Sequence, residues 1–563
     1  MKKSSLNRVV YQIWPRSFQD SNGDGIGDLP GIIARLDYLA SLNIDLIWLS
    51  PIYQSPNSDY GYDISDYYTI HEDFGTMADF DLLLVEAKKR KLNIMMDLVA
   101  NHTSDQHPWF IDALRDKNSV YRDYYVFKEG KDGHEPNNWI GIFGGSAWTK
   151  VPNEENNYYL TLFTPQQPDL NWENINVRNE IYRVMRFWLD KGIAGFRMDV
   201  INLISKAAGY PDKDPQKKGY QFANELIINR DLSHEYLKEM YREVLCKYEA
   251  LFLGEGMMMS RAAAALYCGA DNEELDLMFQ SDIISIDCGP LGKYDFRKFY
   301  RWSVSEFKKV FFTWQVDSVK NDYYIGNYFS NHDFGRSVSR YGDDKNHRTE
   351  SAKALLMLNM AARGTPFIYQ GEEIGMTNLK LEKSEWKDFE AINDYEMLQT
   401  MMHLPSFIAK WVVQKVTRDQ ARTPMQWDSS THAGFTRGTP WLRVNPNFTK
   451  INVENDEQNP TSILNFTRRM AAVRKEHKVF TFGDFQPLLL KHTQIVAFIR
   501  SDDNEKLLVL VNLDRHAAVF KADEKWLDAP LIVSTQLHPG PLLQKMVLAP
   551  YEGRIYRLIS QIG

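Results

Sequence analysis

Short apolar segments alternate with longer amphipathic segments along most of this 563-residue chain. The amphipathic segments carry apolar residues at helical spacing, as at Ile32, Ile33, Leu36 and Leu39. Such alternation is typical of a parallel sheet built from βα units. We predict strands at residues 9–13, 44–49, 94–98, 195–198, 251–254, 283–286, 325–329 and 366–369. Eight strand–helix units predict a TIM (β/α)8 barrel, which is an α/β fold.

The pattern is interrupted twice and changes near the end of the chain. The third and fourth predicted strands are too far apart for one helix, and their connection is rich in Gly, Asn, Pro and aromatic residues. We therefore predict an inserted subdomain at residues 103–171 of a barrel that comprises residues 1–102 and 172–479. A second excursion is predicted at about residues 379–455. Alternating strands without helices predict an antiparallel β-sandwich domain at residues 480–563.

The composition restricts the classes of function. The formal net charge is −8, and a nucleic-acid groove would need a basic surface. No segment is long and apolar enough to span a membrane, and the first residues do not resemble a signal peptide. Cys246, Cys268 and Cys288 are odd in number and lack metal-type spacing, which favours a reducing compartment. We expect a cytoplasmic monomer without nucleic-acid or membrane partners, and a neutral small-molecule substrate is compatible with this charge.

Polar residues suited to catalysis lie at the ends of predicted strands. They are Asp97 and His102 in and after the third strand, Arg197 and Asp199 at the fourth, Glu255 after the fifth, and His332 and Asp333 after the seventh. Side chains two residues apart on a strand point the same way, so Arg197 and Asp199 share a face. TIM-barrel enzymes build their active sites at the C-terminal ends of the strands, so we expect all these side chains to meet.

This set of side chains fits hydrolysis of a glycosidic bond with retention of configuration. That reaction needs a carboxylate nucleophile and a carboxylic acid about 5 Å apart. We predict that Asp199 is the nucleophile, that Arg197 keeps it ionised, and that Glu255 is the general acid/base. Asp333 would bind ring hydroxyls and stabilise the oxocarbenium-like charge. A single carboxylate at a strand end is more often a cap or an ion-pair partner, but an ordered set along eight strands favours catalysis.

Several segments resemble the α-amylase family, glycoside hydrolase family 13. The four signature regions of that family correspond to residues 97–102 (Asp-Leu-Val-Ala-Asn-His), 195–200 (Gly-Phe-Arg-Met-Asp-Val), 253–255 (Leu-Gly-Glu) and 329–333 (Phe-Ser-Asn-His-Asp). Residues 167–171 (Gln-Pro-Asp-Leu-Asn) resemble a fifth region of the oligo-1,6-glucosidase subgroup, and residues 59–63, 369–376 and 422–427 match as well. The resemblance extends from about Tyr11 to the C-terminal domain.

The resemblance implies a binding subsite for a terminal glucose. The implied residues are Asp59, Tyr62, His102, Phe163, Gln167, Arg197, His332 and Arg422, with Phe143 from the inserted subdomain and Arg418 as further candidates. Val200 directly follows the nucleophile; Val at this position resembles members that prefer α-1,6 linkages, whereas Thr or Ala accompanies α-1,4 preference. A β-branched residue is also good strand packing, which is the alternative reading of Val200.

The function that the resemblance implies is that of a retaining, exo-acting α-glucosidase. Such an enzyme would release glucose from the non-reducing end of short α-1,6-linked oligosaccharides by double displacement. The chemistry needs no organic cofactor and no metal.

The loop at residues 20–28 (Asp-Ser-Asn-Gly-Asp-Gly-Ile-Gly-Asp) has a spacing that suits a hard cation. Its candidate ligands are the side chains of Asp20, Asn22, Asp24 and Asp28 and the carbonyl of Ile26. Related enzymes of the family hold Ca²⁺ in this loop, so the resemblance implies a structural Ca²⁺ site. A metal-free turn is the alternative. A dinucleotide loop is not expected, because the interleaved aspartates would repel phosphates.

Two segments depart from the family pattern. Gly256 and Met257 follow Glu255 where many relatives carry Met-Pro or Thr-Trp, and Phe334-Gly335-Arg336 follows Asp333 where Pro is usual after one residue. Both segments are expected to face the leaving group, so the identity of the leaving sugar stays open.

Three alternatives to the α-glucosidase function follow. A sucrose-isomerising or transglycosylating relative is one, although the isomerising enzymes usually lack Val after the nucleophile. A trehalose-6-phosphate hydrolase is another, and it would need a cationic pocket that the insertion does not obviously supply. A non-catalytic, transporter-ancillary relative is a remote alternative, because such proteins need a membrane anchor and tolerate the loss of the carboxylates.

Overall fold

The computed structural model describes residues 3–289, 293, 301–400, 402–537 and 539–558. The strands, in chain order, are β1 (Val10–Ile13), β2 (Leu46–Leu49), β3 (Tyr53–Gln54), β4 (Asp66–Ile70), β5 (Asn93–Val99), β6 (Phe127–Glu129), β7 (Trp148–Lys150), β8 (Asn157–Leu160), β9 (Gly195–Asp199), β10 (Leu251–Gly254), β11 (Leu277–Phe279), β12 (Ile325–Asn327), β13 (Thr365–Tyr369), β14 (Asp484–Leu488), β15 (Ile495–Ser501), β16 (Lys506–Asn512), β17 (Ala518–Lys521), β18 (Leu531–Ser534), β19 (Lys545–Leu548) and β20 (Gly553–Arg557).

The α-helices separate the barrel strands and fill the long excursion near residue 400. In chain order they are α1 (Leu29–Ala34), α2 (Leu36–Ser41), α3 (Met77–Lys89), α4 (Pro108–Arg115), α5 (Ile175–Lys191), α6 (Asn224–Ile227), α7 (Asp231–Glu243), α8 (Arg261–Cys268), α9 (Val304–Lys320), α10 (Ser337–Tyr341), α11 (Arg348–Ala361), α12 (Phe389–Thr400), α13 (Ser406–Val416), α14 (Asp419–Arg422), α15 (Val453–Gln458), α16 (Ile463–Glu476) and α17 (Val479–Phe482).

Eight strands of the described residues close into a parallel barrel in the order β1-β13-β12-β11-β10-β9-β5-β2. The strands are buried apolar runs, as the sequence pattern predicts for a sheet covered on both faces. β9 pairs with β5 on one side and with β10 on the other, which places Arg197 opposite Asp97 and Leu253. The predicted TIM barrel is confirmed.

One of the eight predicted strands is wrong. Residues 283–286 form turns, because Ser285 and Cys288 donate backbone hydrogen bonds to carbonyls three or four residues earlier. The barrel strand at this place is β11, a run of only three buried residues that pairs with β10 through Leu277 and Leu253. A run of three apolar residues is too short to be recognised as a strand in the sequence. The isoleucines of residues 283–286 give the apolar pattern of a strand although they do not form one.

The chain divides into two compact units, of which the first comprises residues 48–85 and 93–279. This unit contains β5, β9, β10 and β11 and most of the residues of the predicted catalytic site. It also contains the antiparallel sheet β6-β8-β7 within the predicted insertion. Trp139, Trp148 and Leu160 form an apolar core beneath that sheet.

The second unit comprises the described residues of 3–47, 86–92 and 280–558. Its C-terminal part is an antiparallel sheet with the strand order β14-β15-β16-β20-β18, accompanied by the pair β17-β19. Ile495, Leu508 and Leu510 are among the residues of its apolar core. Among the described residues, we find no helix with the length and apolar character that crossing a membrane requires.

Candidate active site

Neighbouring strands of the first unit bring the main polar residues together. Arg197 and Asp199 point to one face of β9, and Asp97 lies opposite Arg197 on β5. Glu255 directly follows β10 and is preceded by Gly254. A Cβ atom on Gly254 would lie 2.2 Å from Sδ of Met278, so a larger residue would require the Met278 side chain to move.

The guanidinium of Arg197 joins three carboxylates. Nη1 lies 2.6 Å from Oδ1 of Asp97 and 2.7 Å from Oδ1 of Asp199, and Nη2 lies 2.6 Å from Oε2 of Glu255. Burial lowers the pKa of Arg197, but the neighbouring carboxylates of Asp97 and Glu255 outweigh this effect and raise the pKa well above its ordinary value. Arg197 therefore remains a cation and holds Asp199 and Glu255 at one site.

Asp97 supports Arg197 from inside the barrel. Its carboxylate is fully buried and also accepts hydrogen bonds from Nε1 of Trp48 at 3.1 Å and from the hydroxyl of Tyr62 at 3.3 Å. Burial raises the pKa of Asp97 to about 6, although the Arg197 guanidinium opposes this. Because solvent does not reach it, Asp97 can orient Arg197 and Tyr62 but cannot act as the nucleophile.

The backbone is strained immediately after Asp199. Val200 has φ 36° and ψ 40°, a left-handed conformation that is a genuine outlier for a β-branched residue and costs about 1–3 kcal/mol. Its N–H donates to Oε2 of Glu255 at 3.3 Å. Its buried side chain belongs to an apolar cluster against which Met257 and Phe163 also pack. The strained turn thus connects the end of β9 with the carboxylate that follows β10.

The other predicted subsite residues of the first unit form a connected group. The side-chain amide of Gln167 lies 3.3 Å from Oδ2 of Asp59 and 3.1 Å from Nε2 of His102. The ring of Phe163 lies 5.0 Å from that of His102 and 5.7 Å from that of Phe143. The group combines aromatic faces with amide, carboxylate and imidazole groups, a combination that suits a pyranose ring and its hydroxyls.

His102 is neutral in this environment. Burial lowers the pKa of its imidazole to about 4, and the nearby carboxylate of Asp169 offsets this only in part. A neutral imidazole has one donor nitrogen and one acceptor nitrogen. His102 is therefore uncharged at neutral pH, and its ring also hydrogen-bonds the backbone of Tyr62.

Asp333 lies with His332 and Arg422 in the second unit. Its Oδ2 is 3.2 Å from Nε2 of His332, and its Oδ1 is 3.3 Å from Nη2 of Arg422. Nε of Arg422 donates to the carbonyl of His332 at 3.0 Å. The ring of Trp14 stacks on His332 at 5.3 Å and lies 4.4 Å from Cζ of Arg422. Two cationic or polar groups thus fix the orientation of the Asp333 carboxylate.

Arg418 makes its closest contacts with another carboxylate. Its Nε and Nη2 lie 2.9 Å and 2.8 Å from Oδ1 of Asp388, whereas its Nη1 lies 3.8 Å from Oδ1 of Asp333. Both Arg418 and Asp388 are buried. The main partner of Arg418 is therefore Asp388, and its contact with Asp333 is longer and weaker.

The side chains of the 20–28 loop bind mainly the backbone of the loop itself. Asp20 accepts from the N–H groups of Asn22 and Gly23 at 2.9 and 2.7 Å, and Asp28 accepts from Gly31 at the start of α1 at 2.7 Å. Among the described residues, no group of three or more His, Cys, Asp or Glu side chains is arranged to hold a metal.

The donor chemistry of this loop nevertheless fits Ca²⁺. Burial raises the pKa of Asp28, and the negative charge of Asp20 adds to that effect. A cation near these two carboxylates would relieve their repulsion. Oδ1 of Asp24 and Oδ1 of Asp28 each accept one backbone hydrogen bond, at 2.8 and 2.7 Å, and each retains a lone pair for a metal ligand bond.

Sequence reasoning missed two residues beside the site. Trp14 follows β1 and stacks on His332, and its position just after a barrel strand is the signal that could have identified it. Lys206 forms an ion pair with Asp169 and is buried. It lies in the largely apolar segment 200–208, where an isolated charge indicates a buried partner.

The barrel and its clustered carboxylates are typical of a TIM-barrel glycoside hydrolase. The sequence matches the family described as Alpha amylase, catalytic domain, over residues 12–483. It is 45% identical over 556 residues to an oligo-1,6-glucosidase from Parageobacillus thermoglucosidasius, a match that covers 98% of each chain. The chain belongs to the alpha-amylase family and is a glycoside hydrolase, as the resemblance implied.

Solved structures of related enzymes have the same fold. A crystal structure of Bacillus licheniformis trehalose-6-phosphate hydrolase superposes with a TM-score of 0.91 at 40% identity and covers 99% of each chain. A crystal structure of isomaltulose synthase from Klebsiella superposes with a TM-score of 0.91 at 38% identity and covers 98% of this chain and 99% of the other.

Proposed function

We propose that this protein is a retaining, exo-acting α-glucosidase that releases glucose from the non-reducing end of short α-1,6-linked oligosaccharides. The observation that carries the proposal is the single Arg197 guanidinium that contacts the carboxylates of both Asp199 and Glu255. The likeness to an oligo-1,6-glucosidase and the Val residue after Asp199 support the α-1,6 preference.

The proposed reaction has two displacements. In the first, a carboxylate oxygen of Asp199 attacks C1 of the terminal glucose while Glu255 donates its proton to the departing glycosidic oxygen. In the second, Glu255 as a carboxylate removes a proton from water, and the resulting hydroxide oxygen attacks C1 and releases Asp199. Each displacement inverts C1, so the released glucose is the α-anomer, and Glu255 ends protonated as it began.

The exo action is proposed from the predicted residues of the glucose subsite. Asp59, His102 and Gln167 would hold hydroxyls of the terminal glucose, and Phe163 and Tyr62 would contact its ring. Asp333, oriented by His332 and Arg422, would hold the hydroxyls nearest the reacting carbon. So many polar groups devoted to one sugar favour recognition of a chain end over the middle of a polymer.

The test of this function is the stereochemistry of the first product. Proton NMR during hydrolysis of isomaltose is expected to record α-glucose before mutarotation, and β-glucose as the first product would overturn the double displacement. Isomaltotriitol, whose reducing end is blocked, is expected to give glucose and isomaltitol. Release of sorbitol as the first product would overturn cleavage from the non-reducing end.

A phosphorylated leaving sugar is the second candidate substrate. Phe334 and Gly335, which follow Asp333, line a cleft together with Lys293, Arg340 and Lys415. This cationic lining and the likeness to a trehalose-6-phosphate hydrolase support the candidate. It ranks second because Arg340 pairs with Asp287 and Lys293 pairs with Glu390, so much of the positive charge is neutralised.

One substrate panel separates the candidates. We expect isomaltose to be hydrolysed with a higher kcat/KM than trehalose 6-phosphate, maltose or sucrose. A preference for trehalose 6-phosphate over isomaltose would support the phosphorylated substrate instead. Conversion of sucrose to an isomeric disaccharide as the main product would support glucosyl transfer to a sugar.

We also propose that the 20–28 loop holds a structural Ca²⁺ through Asp20, Asn22, Asp24, Asp28 and the Ile26 carbonyl. The ion would cross-link the loop and take no part in the sugar chemistry. EDTA is expected to lower the thermal midpoint of the wild-type protein, and added Ca²⁺ is expected to restore it. In Asp24→Ala, the midpoint should be lower and should not respond to EDTA. A wild-type thermal midpoint that changes with neither EDTA nor added Ca²⁺ would overturn this proposal.

We further propose a monomer that works in the cytoplasm. Cys246, Cys268 and Cys288 are all free thiols, as a reducing compartment favours. Light scattering after gel filtration is expected to give the mass of one chain, 65.5 kDa. A mass near twice that value would overturn the monomer.

A further inference from the structure

The turn after β9 and the loop after β10 are joined at three consecutive residues of the turn. The N–H of Val200 donates to Oε2 of Glu255 at 3.3 Å, and the N–H of Ile201 donates to the Glu255 carbonyl at 3.1 Å. The third residue, Asn202, reaches Met257 with its side chain. The proposed general acid/base is therefore held at its carboxyl group, at its own carbonyl and through the residue two positions later.

Asn202 binds the backbone of Met257 through both ends of its amide. Its Oδ1 accepts from the N–H of Met257 at 3.0 Å, and its Nδ2 donates to the carbonyl of Met257 at 2.8 Å. A backbone N–H only donates and a carbonyl only accepts, so these partners define the orientation of the amide. Asn202 is fully buried, so water does not compete for these hydrogen bonds.

A third segment completes the contacts of Asn202. Its Nδ2 also donates to Oδ1 of Asn229 at 3.0 Å, and its carbonyl accepts from the N–H of Asn229 at 3.0 Å. Asn229 precedes α7 with φ 51°, a left-handed conformation in which asparagine is common. The amide nitrogen of Asn202 thus has two acceptors and its amide oxygen has a donor, so the side chain is held in one position.

The loop after β10 needs external contacts because Gly256 follows Glu255. Glycine has more backbone freedom than any other residue, so this loop would sample several conformations if nothing held it. Ile201 restricts the loop on one side of the glycine, through the carbonyl of Glu255. Asn202 restricts it on the other side, through both backbone polar groups of Met257.

We propose that Asn202 is a positioning residue for Glu255, which holds the carboxyl where it can protonate the departing glycosidic oxygen. This inference rests on the proposed function, because that proposal makes Glu255 the general acid/base. Asn202 acts through the backbone of Met257 and does not itself touch the sugar. A general acid must lie within hydrogen-bond reach of the atom it protonates, and a misplacement of about 1 Å can cost about 100-fold in rate.

The test is the dependence of Asn202→Leu on the leaving group. Leucine keeps the branched outline of asparagine and removes every hydrogen bond of the side chain. We expect kcat/KM on isomaltose to fall roughly 100-fold. Aryl α-glucosides with acidic phenols need little protonation and should lose much less. A plot of log kcat/KM against the pKa of the phenol should therefore be steeper for the variant than for the wild type.

Asn512→Leu is the matched control. The amide of Asn512, which is buried in β16, donates to the carbonyls of His516 and Ala549 at 2.8 Å and accepts from the N–H of Asp514 at 3.2 Å. This variant loses the same kinds of hydrogen bond, so its thermal midpoint should fall, but the slope of its plot should equal that of the wild type. A steeper slope in both variants, or in neither, would overturn the proposal.

Asn229→Gly weakens the same support without placing an apolar side chain at a buried polar site. Glycine tolerates the φ of 51° and keeps the N–H that donates to the Asn202 carbonyl, but the acceptor for Nδ2 of Asn202 is lost. We expect a slope between those of the wild type and Asn202→Leu. A wild-type slope in Asn229→Gly would overturn the proposal even if Asn202→Leu did not fold.

A substrate-free measurement separates this inference from the proposed function. Hydrogen exchange in the peptide that contains residues 255–259, followed by mass spectrometry, should be faster in Asn202→Leu than in the wild type or Asn512→Leu. Equal exchange in all three proteins would overturn the support of the loop by Asn202. Faster exchange in Asn202→Leu, combined with a wild type that does not hydrolyse isomaltose, would overturn the proposed function and leave the support of the loop in place.

Discussion

Nη2 of Arg197 lies 2.6 Å from Oε2 of Glu255, although Arg197 stands beside the proposed nucleophile in the sequence. The same guanidinium lies 2.7 Å from Asp199, so one cation serves both proposed catalytic carboxylates. When Asp199 becomes an ester in the proposed mechanism, it loses its charge, and Arg197 is left with Asp97 and Glu255. The cation would then stabilise Glu255 as the carboxylate that must take a proton from water.

Asp199→Ala should lose at least 10⁴-fold in kcat on isomaltose, because the variant removes the atom that attacks C1. Azide can enter the vacated space and attack an activated aryl α-glucoside from the same face. The expected product is β-glucosyl azide, identified by NMR. Wild-type thermal stability would show that the fold is intact, and more than trace hydrolysis without azide would contradict the assignment of Asp199.

Glu255→Ala should discriminate between leaving groups. Removal of the general acid should lower kcat/KM on isomaltose about 10²- to 10⁴-fold. An aryl α-glucoside with an acidic phenol needs little protonation and should still form the glycosyl-enzyme. Azide should then attack that intermediate and give α-glucosyl azide, the opposite anomer to that from Asp199→Ala. The same anomer from both variants would show that the two roles are wrongly divided.

The strand pattern predicts most of the fold. The local motifs predict the parts of the site whose residues are close in the sequence. Arg197 and Asp199 share a face because they are two residues apart on one strand, and this spacing is visible in the sequence. The three-residue strand β11 was not predictable, because so short an apolar run has no detectable period.

Contacts between distant segments could not be read from the sequence. The Arg197–Glu255 ion pair depends on the register of β9 against β10, which is set by tertiary packing. The sequence indicates good strand packing or a linkage preference for Val200, but its φ of 36° is not a strand conformation. Nothing in the residue type suggests this strain, because β-branched residues disfavour positive φ.

Val200→Thr should raise the ratio of kcat/KM on maltose to that on isomaltose by about tenfold, the size typical of one altered contact in a binding pocket. The substitution keeps the β-branched shape at φ 36° and replaces one methyl group with a hydroxyl, on a residue whose backbone N–H contacts Glu255. Val496→Thr is the matched control, because it makes the same change at a buried position of β15. A ratio that changes equally in both variants, or in neither, would place the linkage preference elsewhere.

Glu372 should make the stability of the protein depend on pH. Burial raises the pKa of this carboxyl from 4.5 to about 7, although Ser337 and the N–H of Tyr369 donate hydrogen bonds to it at 2.6 and 2.9 Å. Because the folded-state pKa is the higher one, the folded protein binds this proton more tightly than the unfolded chain. The native state is therefore progressively destabilised as pH rises from 4.5 to 7, by up to about 3 kcal/mol.

Glu372→Gln removes this titration and keeps the shape of the side chain. The thermal midpoint of the variant minus that of the wild type should increase from pH 5 to pH 8. Only the wild type acquires a buried charge over that range. Glu476→Gln, at an exposed position of α16, should show a difference from wild type that does not change with pH. If Glu372→Gln behaved like this control, Glu372 would have to be ionised in the folded protein already at pH 5.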